Sequence, residues 1–105
     1  MVEETNQAVW AYLDELCPGI QQRLPQLTAR QLDVMLSIGL GHGAKQTAGR
    51  LQIAVKTVES HIADIKRKLH IADYRTLGVV STMLTFREWV VTKKFERAGD
   101  QAQVV

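Results

Sequence analysis

The feature that most constrains this chain is a pair of helical patterns separated by three residues. A short pattern covers Ala44–Leu51, the break is Gln52–Ala54, and a longer pattern covers Val55–Leu69. In the longer pattern apolar residues recur at spacings of 3, 4, 3 and 4, which predicts one apolar stripe along a helix. The stripe consists of Val55, Val58, Ile62, Ile65 and Leu69, and the opposite side carries Lys56, Ser60, Ala63 and Arg67. A short helix, a tight turn and a helix with a polar, basic front are typical of a helix-turn-helix.

About fifteen residues at fixed spacing form a longer pattern around these two helices, without gaps from about residue 27 to residue 79. They are Leu27-Thr28-x-Arg30, Val34-Met35, Gly41, Lys45-x-x-Ala48, Leu51-x-Ile53, Lys56-Thr57-Val58-x-x-His61 and Lys68-Leu69. This pattern resembles the DNA-binding domain of the LuxR/FixJ/GerE-type bacterial transcription regulators. The resemblance implies a four-helix bundle whose third helix reads DNA and whose fourth often serves dimerisation.

The resemblance also implies which side chains contact double-stranded DNA. The expected phosphate contacts are Lys45, Lys56, Thr57 and Lys68, and the expected base-facing residues are Glu59, Ser60 and Ala63. A Lys ammonium near a helix N-terminus lies where anions are already favoured, which agrees with the first set.

Three residues depart from the family pattern in this region. Glu59 places a carboxylate where phosphates repel it, so it is useful only as an acceptor for a cytosine amino group. Ala54 and Gly43 stand where a hydroxyl residue usually caps a helix, and an alanine cap costs about 1 kcal/mol. We expect these changes to weaken DNA binding without affecting the fold.

The charge is distributed unevenly although the net charge is only +2. Residues 44–68 carry six basic and two acidic side chains, a net of +4, whereas residues 1–26 carry one basic and four acidic ones, a net of −3. Positive charge is therefore concentrated in the segment that is expected to face DNA.

Several other classes of protein are disfavoured. No apolar run approaches the roughly 20 residues of a membrane span, and the start Met-Val-Glu-Glu is unlike a signal peptide. The single Cys17 fits a reducing cytoplasm. Cys17 and the histidines at 42, 61 and 70 lack the spacing of metal ligands, and no catalytic motif is present. We expect a cytoplasmic, non-enzymatic protein without a metal or cofactor.

The flanking segments predict two further helices. An amphipathic helix from about residue 3 to residue 17 has Val9, Tyr12, Leu13 and Leu16 on one face, stops at Pro18-Gly19, and is followed by a connector. A capping box at Thr28-Ala29-Arg30-Gln31 opens a helix over residues 29–38. A last helix begins near Arg75, capped by Asp73 or Thr76, and its periodicity persists to about residue 97.

The predicted fold is therefore all-α. It is a LuxR-type helix-turn-helix four-helix bundle with an added N-terminal helix and a lengthened C-terminal helix, in a single domain over residues 1–105. The segments are 1–26 (N-terminal helix and connector), 27–79 (helix-turn-helix core), 80–98 (extended C-terminal helix) and 99–105 (tail).

The lengthened last helix has an apolar face that a core of this size cannot cover. We expect Leu84, Val90, Val91 and Phe95 to form a homodimer or partner interface. A second stripe, Leu32, Leu36 and Leu40, lies where the family usually has polar residues. The favoured explanation is that the N-terminal helix covers it, and the alternative is an oligomer or partner surface.

The function that these features predict is sequence-specific DNA binding by a homodimeric transcription regulator. Because only 26 residues precede the core, we expect no receiver or ligand-binding domain, and control through abundance, oligomerisation or a regulatory protein partner. One alternative is an interaction module of the same fold that captures another regulator through its apolar terminal helices. A promoter-recognition module resembling the last region of a sigma factor is a second, which the long terminal extensions disfavour.

Overall fold

The structure is a computed structural model that describes residues 2–87, and all regular elements among these residues are helical. In chain order they are α1 (Val2–Leu16), α2 (Ile20–Arg23), a 3₁₀ turn (Leu24–Gln26), α3 (Ala29–Gly39), α4 (Ala44–Leu51), α5 (Val55–Leu69) and α6, which begins at residue 74 and continues to 87. The all-α prediction is confirmed, and the bounds of α4 and α5 are those that the sequence pattern gives. The predicted extension of the last helix beyond 87 and the tail lie outside the described residues.

The turn between α4 and α5 is built from the three residues of the predicted break. Gln52 adopts the left-handed conformation with φ of 56°, and the Ile53 amide donates to the Ala48 carbonyl at 3.0 Å. Ala54 is extended and its carbonyl accepts the first amide bonds of α5. This turn ends α4 and redirects the chain within three residues.

The core is formed around the apolar stripe of α5. Val58, Ile65 and Leu69 are fully buried and Ile62 is nearly so, whereas Val55 is 39% exposed. The prediction for Val55 is therefore wrong. Helical side chains point toward the N-terminus of their helix, so the first residue of α5 extends past the end of the core instead of packing into it.

Two helices start at side-chain caps that the sequence predicts. At α3 the Thr28 hydroxyl accepts from the Gln31 amide at 3.1 Å, and the Thr28 amide donates to Gln31 Oε1 at 3.0 Å, which confirms the capping box. At α6 the Asp73 carboxylate accepts from the Thr76 amide at 2.7 Å, so Asp73 is the cap and not Thr76. This hydrogen bond lowers the pKa of Asp73 below its usual value.

Helix α1 and the residue that follows it pack through side chains spaced four apart. Val9, Leu13 and Cys17 are buried, whereas Tyr12 is 49% exposed, so the predicted face is wrong for Tyr12 because the buried stripe runs along its other side. The Cys17 thiol donates to the Leu69 carbonyl at 3.1 Å, and burial raises the pKa of this thiol, which favours the neutral donor.

The predicted connector, residues 18–26, contains α2 and the 3₁₀ turn. Gly19 has a left-handed φ of 78°, which turns the chain after Pro18 and allows a new helical turn to begin. Ile20 is fully buried in the core. The segment is therefore a packed part of the fold.

The outer stripe of α3 is not covered by α1. Leu32 is 41% and Leu40 is 56% exposed, and Leu36 is half-buried. An apolar groove there is lined by Trp10, Leu24, Pro25, Leu32, Leu36 and Leu84. The favoured explanation for this stripe is wrong, because α1 contributes only Trp10 to the groove and leaves Leu32 and Leu40 exposed. The Trp10 ring lies under the Arg87 guanidinium of α6, 4.9 Å from the ring centre.

A buried polar pair joins α3 to α4. The Ser37 hydroxyl of α3 lies 2.8 Å from the Thr47 hydroxyl of α4. Both side chains are buried, and one hydroxyl donates to the other, so each has a hydrogen-bond partner and neither carries the cost of an unpaired buried hydroxyl.

We expect Gly39→Ala to destabilise the fold by about 1–3 kcal/mol. Gly39 ends α3 where it meets α6, and a Cβ there would overlap the Thr85 hydroxyl and the Ser81 carbonyl. The control is Gly49→Ala in α4, where nothing lies within 4 Å and the gain in helix propensity should stabilise by up to about 1 kcal/mol. Urea unfolding measures both, and equal effects of the two substitutions would contradict the close approach of α3 and α6.

Candidate nucleic-acid interface

The exposed face of α5 is the candidate interface. Lys56, Ser60, Ala63 and Arg67 are all exposed, on the side of the helix opposite the buried stripe. Spacings of 4, 3 and 4 residues place the four side chains within about one narrow strip of an α-helix. The amphipathic division that the sequence predicts is therefore present, with Val55 as the exception.

The N-terminus of α5 has no side-chain cap. Ala54 occupies the N-cap position and makes no side-chain hydrogen bond, so the first-turn amides depend on other partners. Lys56 and Thr57 are exposed in the same turn. An uncapped helix N-terminus beside an ammonium and a hydroxyl is suited to a phosphate oxygen.

The N-terminus of α4 has a similar composition. Gly43 is the N-cap residue and provides no side-chain acceptor, although its own amide donates to Gln46 Oε1 at 3.2 Å. Lys45 follows in the first turn and is exposed. Three of the four predicted phosphate contacts are thus exposed in the first turn of a helix.

The predicted base-facing residues lie on the next two turns of α5. Glu59, Ser60 and Ala63 are exposed, and within residues 2–87 no ion pair engages Glu59. These side chains are accessible to a ligand that lies along the polar face.

Arg67 is a candidate that the site prediction missed. It is exposed on the same strip as Ser60 and Ala63, and its guanidinium lies 3.4 Å from the Asp64 carboxylate. An ion pair this exposed contributes little and can exchange partners. The signal was in the sequence, because residues 60, 63 and 67 follow helical spacing.

Lys68 differs from the other predicted phosphate contacts. Its ammonium donates to the Gln26 carbonyl at 3.1 Å and to Gln31 Oε1 at 2.8 Å. It lies twelve residues after Lys56, about 18 Å along the helix axis at about 1.5 Å per residue. The structure thus places Lys68 apart from the first-turn group and bonds it within the chain, which runs against the phosphate assignment.

The predicted interface residue Leu84 is 7% exposed and belongs to the core of the chain. This placement corrects its assignment to an intermolecular surface, because the α6 stripe that contains it packs inward. The other three residues of that prediction, Val90, Val91 and Phe95, lie outside the described residues. Val79 (42%) and Phe86 (49%) are instead exposed apolar side chains of α6, seven residues apart on one face, and Tyr74 at the start of the helix is 46% exposed.

Within residues 2–87 no three His, Cys, Asp or Glu side chains are grouped so that they could hold a metal ion. None of the helices in this range has both the length and the apolar character needed to cross a membrane.

We expect Ala54→Ser to stabilise the fold by about 1 kcal/mol, because the hydroxyl would accept a hydrogen bond from a first-turn amide of α5. Ala63→Ser is the matched control, since it makes the same change in the middle of α5, where no orphan amide is available, and should be neutral to slightly destabilising. Urea midpoints of the two variants test this. A midpoint for Ala54→Ser at or below that of Ala63→Ser would show that the N-terminus of α5 is already satisfied.

The luxR family of bacterial regulatory proteins (GerE) matches residues 25–80, which is more than half of this chain. The transcriptional regulatory protein YhcZ of Bacillus subtilis is 38% identical over 53 residues, covering 50% of this chain and 25% of that protein. The transcriptional activator RamA of Corynebacterium glutamicum is 36% identical over 62 residues (54% and 22%), and the response regulator VraR of Staphylococcus aureus is 35% identical over 54 residues (51% and 25%). This chain thus spans about a quarter of the length of these relatives. No solved structure matches it.

The region that the family matches contains α3, α4, α5 and the start of α6. The chain belongs to the luxR family of bacterial regulatory proteins.

Proposed function

We propose that this chain regulates transcription by binding specific sites in double-stranded DNA with α5. The observation that carries the proposal is the exposed polar strip of α5, Lys56 to Arg67, held outward by the buried stripe on the opposite side. A helix about 22 Å long with this division of faces fits the major groove. The names of the relatives, which include a transcriptional activator and a response regulator, are consistent with this function.

The phosphate contacts are proposed to lie at the two helix N-termini. Lys45 in α4, and Lys56 and Thr57 in α5, are exposed where first-turn amides lack a side-chain cap. Backbone amides and ammonium groups together favour an anion at these positions. Such contacts orient the protein on DNA and supply most of the salt-dependent affinity.

Sequence preference is proposed to come from the next turns of α5. Ala63 is suited to apolar contact with a thymine methyl group, Ser60 can donate or accept a hydrogen bond, and Glu59 can accept from a cytosine amino group. Glu59 is exposed, so its carboxylate can reach the bases. It lowers the affinity for every DNA sequence that offers it no hydrogen-bond donor, and this creates a sequence preference.

We expect Lys56→Ala to weaken binding on all sequences alike and to reduce the slope of log K against log salt by about 0.9. The control is Arg23→Ala, which removes the same charge from the part-exposed last residue of α2, outside α4 and α5. Fluorescence anisotropy on a duplex selected from a random pool, at four salt concentrations, measures both.

The same selection, repeated with Glu59→Gln and Ser60→Ala, should return different preferred sequences. An intact protein that shifts no DNA in a random pool at low salt would exclude this function and favour the interaction module described below.

We propose that the regulator acts as a homodimer through the exposed apolar face of α6, with Val90, Val91 and Phe95 extending that interface. Val79 and Phe86 are 42% and 49% exposed, and burying the remaining apolar surface against a second copy contributes about 0.7–1.5 kcal/mol per side chain, half the value for a fully exposed one. A two-fold axis places two recognition helices about one DNA turn, roughly 34 Å, apart.

We expect Phe86→Ser to raise the dissociation constant of this dimer at least tenfold. Tyr12→Ser is the matched control, because Tyr12 is equally exposed at 49% but lies on α1. Light scattering or sedimentation equilibrium without DNA distinguishes the two variants. A wild-type chain that is still monomeric at high micromolar concentration would exclude the dimer.

A second candidate function is an interaction module of the same fold. The observation that favours it is the apolar groove beside Leu32 and Leu36, together with the carboxylate of Glu59 on the polar strip. In that case a regulatory protein partner would occupy the apolar surfaces. We propose either activity to be non-enzymatic, cofactor-independent and cytoplasmic.

A further inference from the structure

A single buried amide oxygen joins the start of α3 to the end of α5. Gln31 is 4% exposed, and its Oε1 accepts from the Thr28 amide at 3.0 Å and from the Lys68 ammonium at 2.8 Å. Lys68 also donates to the Gln26 carbonyl at 3.1 Å, at the end of the 3₁₀ turn. The capping box of α3 is therefore shared with the last turn of the proposed recognition helix.

The chemistry of this junction favours a fixed geometry. A hydrogen bond from an ammonium is stronger than one between neutral groups, and a lysine in the last turn of α5 is also favoured by the negative end of the helix dipole. Removing the Lys68 ammonium leaves the buried Gln31 Oε1 with the Thr28 amide as its remaining donor. Removing Gln31 deprives the Thr28 amide of its acceptor and leaves the ammonium with the Gln26 carbonyl alone.

The last turn of α5 is held from a second side by the Cys17 thiol, which donates to the Leu69 carbonyl at 3.1 Å. Two adjacent residues of α5 are thus bonded to earlier segments of the chain: Lys68 to Gln26 and Gln31, and Leu69 to Cys17. For a helix about 22 Å long, a tilt of roughly 10° about this end moves the first turn by roughly 4 Å. Binding residues must be placed far more accurately than that.

We propose that Lys68 and Gln31 are positioning residues for DNA recognition. Their hydrogen bond sets the angle of α5 against α3, and through it the placement of Lys56 and the base-facing turns. Lys68 acts inside the protein and contacts no phosphate. This role rests on the proposed function, whereas the contact itself is a property of the free protein.

The contact is tested first without DNA, by a double-mutant cycle of Lys68→Met and Gln31→Met on the full chain. Each single variant is expected to lower Tm by a few degrees, and the double variant to lower it no further than the more damaging single one. Gln31→Glu, which keeps the acceptor, should retain the wild-type Tm. Fully additive losses would show that the two side chains do not act together, and would overturn the proposal.

The positioning role is tested by DNA binding, well below the Tm of every variant. Lys68→Met and Gln31→Met are expected to weaken binding about tenfold or more with an unchanged salt slope, and Gln31→Glu to restore it. Lys56→Met is the contrast, because loss of a phosphate contact lowers the slope by about 0.9.

A slope lowered by that amount in Lys68→Met would identify Lys68 as a phosphate ligand and overturn the proposal. Unchanged affinity in both variants would do so as well. A wild-type chain that binds no DNA would exclude the proposed function and the positioning role with it, while the thermal cycle would still decide whether the contact exists.

Discussion

The burial of one side of α5 is the constraint on which the rest of the structure depends. Val58, Ile65 and Leu69 are fully buried, and each contributes about 1.5–3 kcal/mol relative to an exposed position. Because an α-helix has only one orientation that buries this stripe, the polar strip from Lys56 to Arg67 has to face outward. The exposure of the proposed DNA-binding residues is therefore a direct consequence of core packing.

The starts of the four helices from α3 to α6 are of two kinds, with and without a side-chain cap. The starts of α3 and α6 are closed by Thr28 and Asp73, whose side chains accept backbone amides. The starts of α4 and α5, at Gly43 and Ala54, receive no side-chain cap. Unfilled amide donors cost stability in the free protein but remain available to an anion. Both ends proposed to face phosphate lack a side-chain cap.

The N-terminal segment that precedes the helix-turn-helix contributes to the core of the fold. Ile20 is fully buried, and Cys17 hydrogen-bonds to the end of α5, so the N-terminal part completes the core. It still leaves Leu32 and Leu40 exposed, at 41% and 56%. An apolar surface of this kind on a regulatory protein is suited to a second subunit or a partner, which is why the two proposed functions share the same fold and differ in the surface they use.

Local sequence determined the elements of this protein, and tertiary packing decided which faces are covered. The bounds of α4 and α5, the capping box at Thr28 and the outward strip of α5 follow from periodicity and short-range hydrogen bonds, which are encoded within a few residues. The exposure of Tyr12, the burial of Leu84 and the bonding of Lys68 to Gln31 do not. These three features depend on how helices that are far apart in the sequence pack against each other. A helical pattern predicts which face of a helix is apolar or charged, but it does not predict which other element contacts that face.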